Sequence, residues 1–130
     1  MSEENVEIVR RSYAAWQRGD VPAMLEDVDP DIVIYRAEPD GTTWQGPEGL
    51  VDVIADWTGN FDEFSSSVDD FTDAGDRVIV RMHQRGRGQA SGVEVEADFW
   101  CVHTLKDGKL IRYEIYTTKS QAFEVAGLEE

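Results

Sequence analysis

The stretch "VEVEADFWCVHTLKDGKLIRYEIYTTK", residues 93–119, decides the fold. Strand-favouring residues lie on both sides of Lys106-Asp107-Gly108, a tight-turn signal, so two long strands return on each other as a hairpin. Alternation puts Phe99, Cys101 and His103 on one side of the first strand and Trp100, Val102 and Thr104 on the other. On the returning strand Tyr113, Ile115 and Thr117 share the first side, and Arg112, Glu114 and Tyr116 the second. Upstream, "DRVIVRMHQRG" (76–86) reads as a third strand with Val78, Val80 and Met82 on the first side. "EFSSSVDDFTDAG" (63–75) reads as a solvated fourth, with Phe64, Val68 and Phe71 at imperfect spacing.

The N-terminal half changes period. From Glu3 to Arg18, Val6, Val9, Tyr13 and Trp16 make one apolar helical stripe, with Ser2 as its cap and Glu7 and Arg11 placed to pair. Gly19 ends this helix. Asp20 caps a second, "VPAMLEDV" (21–28), with Pro22 in its first turn and Met24, Leu25 and Val28 buried. A strand over 31–37 leaves by a polar exit, Tyr35, Arg36 and Glu38. "EPDGTTWQGPEG" (38–49) reads as a loop, and "PEGLVDVIADWTGNF" (47–61) as a third helix with Leu50, Ile54 and Trp57 on one side. Ser120 is placed to cap a last short helix, "QAFEVA" (121–126), which Gly127 ends. Three helices around one strand, then four antiparallel strands and a small helix, make an α+β fold with helices on one face of a curved sheet.

The chain has 130 residues, 41% hydrophobic and 10% aromatic, which predicts a single domain over 1–130 with a packed core. No apolar run reaches the ~20 residues of a membrane span. "MSEENVEIVRR" does not read as a signal peptide, and one cysteine, Cys101, excludes an internal disulfide, so a cytoplasmic protein is expected. A formal charge of −15 repels nucleic acid and anionic membranes. "RMHQRGRGQASG" (81–92) carries Arg81, Arg85 and Arg87 like a small RNA-binding tract. No aromatic interleaves them to stack on bases, and a strand ending in a Gly-rich hairpin accounts for the segment.

Five motifs, in order, resemble the SnoaL-like, ketosteroid-isomerase-like family of the nuclear-transport-factor-two-like superfamily. They are "ENVEIVRRSYAAWQRGDVPAMLEDVDPDIVIY" (4–35), W-x-G-x-E-G-L at Trp44 to Leu50, "DAGDRVIVR" (73–81), "LKDGKLIRYEIY" (105–116) and "SQAFEVAGL" (120–128). The resemblance implies a cone-shaped curved antiparallel sheet packed against three N-terminal helices around an apolar pocket, with a small-molecule ligand inside. It also implies a homodimer through the convex sheet face, where Ile79, Trp100, Val102 and Tyr116 need a cover.

The family's working positions can be carried over one at a time. Where ketosteroid isomerases place a carboxylate base, this chain has Arg36, which stays protonated and cannot be one. The oxyanion tyrosine of the first helix falls at Ser12, with Tyr13 one residue and roughly 100° of helix away. The protonated aspartate falls at Cys101, a poor donor. Limonene-type epoxide hydrolases need an acid pair bridged by arginine, and Met82, Gln84 and Ile115 stand there instead. Polyketide-cyclase relatives place a histidine near Cys101 and an acid near Ile115, and this chain matches neither.

The expected pocket wall combines Tyr13, Trp16, Trp44, Trp57 and Phe99, roomy enough for a flat ligand, with Met82, Cys101, His103, Tyr113 and Ile115 from the strands. Arg36 is its unusual member. It either pairs with Glu38 or Asp40 at the surface or clamps a carboxylate or enolate. His103 has the pKa range for acid–base work. Cys101 lacks a neighbouring base and reads as small apolar packing. His83 and His103 point to opposite faces, no ligand spacing suits a metal, and no cofactor is expected. Three functions compete: a protein binding a small apolar or weakly acidic ligand, an isomerase or polyketide-cyclase-type enzyme using His103 with Arg36 or Tyr13, and a dimeric interaction module with an incidental cavity.

Overall fold

A computed structural model describes residues 2–38 and 41–129. Among these the elements run α1 (Ser2–Gln17), α2 (Val21–Met24), β1 (Val28–Arg36), β2 (Thr42–Gln45), α3 (Gly46–Thr58), β3 (Phe61–Ala74), β4 (Arg77–Gly88), β5 (Glu94–Lys106), β6 (Lys109–Tyr116) and α4 (Lys119–Val125). The expected α+β cone is observed, with the strands forming one curved sheet in the order β2-β1-β6-β5-β4-β3. The β5–β6 hairpin turns at Asp107 and Gly108, both at positive φ, which matches the twist of the strands it joins.

Two features of the sheet depart from expectation. It is not wholly antiparallel, because β1 runs parallel to β6 and joins the helical half of the chain to the strand half. Thr42–Gln45 is a short edge strand on β1, not part of a loop. The irregular spacing of Phe64, Val68 and Phe71 has a cause in the ladder: β3 shifts register against β4 between Asp62 and Ser65 and again between Val68 and Asp70. Each bulge absorbs an extra residue, so Val68 and Phe71 both pack on the main core across from Met82 and Val80.

The helices also differ in detail. α2 stops at Met24 because Val28 is drawn into the ladder against Leu110. Asp20 caps it as expected, accepting from the Ala23 N–H at 3.1 Å. Arg11 reaches Asp27 at 3.1 Å rather than Glu7, which approaches Arg10. The last helix is capped by Thr118, not Ser120, through the Gln121 N–H. The capping role expected of Ser2 rests on a side chain outside the described residues.

Two apolar layers result. On the concave face, Val9 and Tyr13 of α1, Leu50 and Val53 of α3, and the inward residues of β1, β4 and β5 form the main core. On the convex face Ile79, Val102 and Tyr116 are buried under Ala122 and Ala126, with Phe123 and Leu128 packed around them. The cover these residues need comes from the C-terminal segment of the same chain, so their apolar character is no argument for a dimer. The strand arginines are paired as well: Arg81 with Asp98 at 3.4 Å, Arg85 with Glu94 and Glu96 at 3.0 and 3.2 Å, and Arg87 with Glu63 at 3.5 Å.

Candidate functional site

The ladder registers place the site row by row. One row across the concave face holds Ile34, Tyr113, His103 and Val78. The next, toward the mouth, holds Arg36, Ile115, Cys101 and Val80. Phe99 and Met82 follow in a third. Successive rows lie about 7 Å apart, because every second residue of a strand faces the same way. α1 contributes Tyr13 and Trp16, and α3 contributes Leu50, Val53, Ile54 and Trp57 at helical spacing. Together they enclose a cavity of about 520 Å³.

Of the residues expected on the wall, Tyr13, Trp16, Arg36, Trp57, Met82, Phe99, Cys101, His103, Tyr113 and Ile115 line this cavity. Trp44 does not. It sits behind the wall on β2, where a Cβ on Gly49 would lie 2.9 Å from the Trp44 Cβ, so only glycine permits α3 to approach so closely. The indole instead supports Arg36, whose guanidinium carbon is 4.9 Å from the ring centroid. Thr117 lines it too, on the side its parity gave it, as does Glu38 of the polar strand exit, while Leu50, Val53 and Gln84 line the cavity without having been among the expected wall residues.

The deep rows are buried and held by a few polar contacts. The Tyr113 hydroxyl donates to Cys101 Sγ at 3.5 Å. The Tyr13 hydroxyl is buried beside both, near enough for each to act on its ionisation, but makes no hydrogen bond of full geometry among the described residues. His103 lies edge-on to Tyr13, with ring centroids 5.3 Å apart, and tilted against Tyr113 at 4.8 Å. Its Nδ1 is 3.3 Å from the Val78 carbonyl oxygen, which can only accept, so the bond places the proton on Nδ1 and leaves Nε2 as an acceptor.

Burial sets the protonation of all four groups. Desolvation pushes the His103 pKa down to about 4, so its imidazole is neutral at neutral pH. This corrects the expectation of a histidine in the acid–base range. Desolvation raises Cys101 to about 11, and it carries Tyr13 and Tyr113 well above the ordinary phenol value. The Cys101 thiol is therefore packing material and a weak acceptor rather than a nucleophile.

The mouth is polar and differently built. Among the described residues the carboxylate of Arg36 is not Glu38 but Asp56 of α3, Nη1 to Oδ2 at 2.9 Å; Asp40, the other acid expected for it, lies outside the described residues. Nothing in sequence spacing marked Asp56, an exposed helix residue twenty positions away that the α3–β1 packing brings to the strand exit. At the rim Trp57 Nε1 donates to Gln84 Oε1 at 2.6 Å, and Trp57 stands edge-on to Phe99 and Phe61.

With fold and site in view, the comparisons with known proteins agree. The SnoaL-like domain model matches residues 9–113. The chain belongs to the SnoaL-like family. It is similar to a solved NTF2-like protein from Burkholderia thailandensis E264, at 28% identity over 90% of this chain and 95% of that one, with a TM-score of 0.79. An NTF2-like protein of unknown function from Burkholderia pseudomallei K96243 superposes at TM-score 0.75, 23% identity, over 95% and 97%. TerC co-crystallized with polyporic acid superposes at 0.74, 24% identity, over 95% and 98%. No curated protein matches the chain by sequence.

Proposed function

We propose that this SnoaL-like chain holds a small, flat, apolar or weakly acidic ligand inside the cone, with the Tyr13 hydroxyl donating to a ligand oxygen. The observation that carries this is a largely apolar cavity of about 520 Å³ with the buried Tyr13 phenol, which makes no well-formed hydrogen bond among the described residues, among its lining residues. That volume is in the range of small-molecule sites, and a buried donor with only poorly formed hydrogen bonds gains from a better acceptor. The co-crystal of TerC with polyporic acid supports the reading at the level of the fold.

The test is a fluorescence titration of 2-naphthol into wild type and Tyr13→Phe, preceded by native mass spectrometry of the freshly purified protein. Wild type is expected to bind saturably, and Tyr13→Phe about tenfold more weakly, the effect of one buried hydrogen bond. Equal affinities would remove Tyr13 from the role. No saturable binding, together with an empty protein in the mass spectrum, would refute the reading itself.

A second reading, an isomerase or polyketide-cyclase-type enzyme, draws on one observation: His103 lines the cavity, and with its proton on Nδ1 its Nε2 is an unprotonated acceptor. A base with a conjugate-acid pKa of about 4 is weak, and Arg36 supplies none. Under this reading His103→Gln abolishes turnover of any substrate found, whereas under the first it does not. The homodimer implied by the family resemblance belongs to the proposal too, with Trp100 and the charged rows of β4 and β5 beyond α4 as its surface.

A further inference from the structure

The Arg36 guanidinium is incompletely used. Its side chain is only 16% exposed, yet its one carboxylate among the described residues, Asp56, is 59% exposed and is reached through Nη1. Nη1 lies on the Cδ side of the guanidinium, and Asp56 occupies this side only. Nε is buried and has no partner among the described residues. The flat face is taken by Trp44, which leaves in-plane contacts as the remaining way to satisfy the group. A guanidinium that donates to one exposed carboxylate keeps N–H groups for a second.

We infer that the Arg36 guanidinium is the receptor for a ligand carboxylate at the cavity mouth, and that Asp56 is a specificity-determining counter-charge that weakens this interaction. The inference rests on the ligand-binding reading above and names the class of ligand: a planar apolar body bearing a carboxylate at one end. Arg36 is the single cation among the described residues lining the cavity, and Glu38 shares its rim. The chain as a whole carries a formal −15 and repels anions at long range. A preference for a carboxylate must therefore come from direct contact with Arg36. It persists when salt shortens the screening length to about 3 Å at 1 M, because a desolvated contact is screened far less than exposed charges.

Asp56 can be changed without dismantling the site. It lies in the last turn of α3, where a negative charge opposes the helix dipole. Its pairing is largely exposed and contributes little to stability. Asparagine keeps an oxygen to accept from Nη1 and removes only the charge.

The experiment titrates 2-naphthoate and its neutral isostere 2-naphthamide into wild type, Asp56→Asn and Arg36→Gln, at low and high salt. Wild type is expected to bind the carboxylate about tenfold more tightly than the amide, the size of one charge-assisted hydrogen bond over a neutral one. Asp56→Asn tightens the carboxylate severalfold and leaves the amide unchanged. Arg36→Gln binds both alike, and circular dichroism establishes that the variant is folded. A wild type that binds the amide as well as the acid, or an Asp56→Asn that binds 2-naphthoate no better, overturns the inference while leaving the binding reading intact. Saturable binding of neither compound overturns both.

Discussion

Burial of His103 makes the protein sensitive to acid in a way that can be measured. In the unfolded chain the imidazole titrates near its ordinary value of 6.5, whereas in the fold its pKa is about 4. Between these values the unfolded state binds the extra proton, so stability rises with pH. The contribution is complete above about pH 6.5 and falls away as pH drops through 4. The full gap corresponds to about 3 kcal/mol, of which about 2 kcal/mol is gone by pH 5. Against the 5–15 kcal/mol typical of a domain, this is a large share for one side chain. Urea unfolding of wild type and His103→Asn at pH 7.5 and pH 5 isolates it. Carboxylates, and His83 with its raised pKa, titrate in both proteins and cancel in the difference. Wild type should lose about 2 kcal/mol more than the variant on going to pH 5. If the two lose the same amount, His103 ionises in the fold as it does in the unfolded chain. The argument from desolvation would then be wrong, and the residue would be available for proton transfer near neutrality.

Two structural predictions accompany this one. Gly49→Ala forces a Cβ to 2.9 Å from the Trp44 Cβ and 3.3 Å from its carbonyl carbon, so urea unfolding should show a loss of about 1–3 kcal/mol. Because Trp44 carries Arg36, the same variant should weaken 2-naphthoate binding more than 2-naphthamide binding; an equal effect on both would mean that Trp44 does not position the guanidinium. Sedimentation velocity at micromolar concentration should show a dimer, and a monomer throughout the range would remove the convex-face interface from the proposal.

Fold and wall were legible in the sequence to different depths. Period-two alternation fixed which of Phe99, Cys101, His103, Tyr113 and Ile115 face inward, because strand faces follow directly from residue parity. The β3 bulges left a trace as the uneven spacing of Phe64, Val68 and Phe71, but their position depends on which residues of β4 they oppose. The parallel β1–β6 pairing left no local trace, since it joins segments some eighty residues apart. Trp44 looked like another wall aromatic; its removal from the cavity depends on Gly49 admitting α3 against β2. The Arg36–Asp56 pair and the poorly bonded Tyr13 hydroxyl belong to the same class. Both depend on distances between elements, which composition and spacing do not encode.

The replacements at the family's working positions act together. A carboxylate base, a protonated acid and a histidine within range of neutrality would each carry protons during a reaction. In their place stand Arg36, which stays charged; Cys101, with a pKa of about 11; and His103, with one of about 4. Tyr13 and Tyr113 are raised as well. From about pH 5 to about pH 10 these interior groups keep their protonation states. They present fixed donors at Tyr13 and the Arg36 guanidinium, and a fixed acceptor at His103 Nε2. General acid–base catalysis needs groups that exchange protons at the working pH, whereas recognition of a ligand's oxygens needs donors whose state does not vary. The cavity satisfies the second requirement over the whole span. It would satisfy the first only if ligand entry restored an ordinary pKa to His103, which a pH titration of the liganded protein monitored by imidazole NMR would reveal as a move from about 4 toward 6.5.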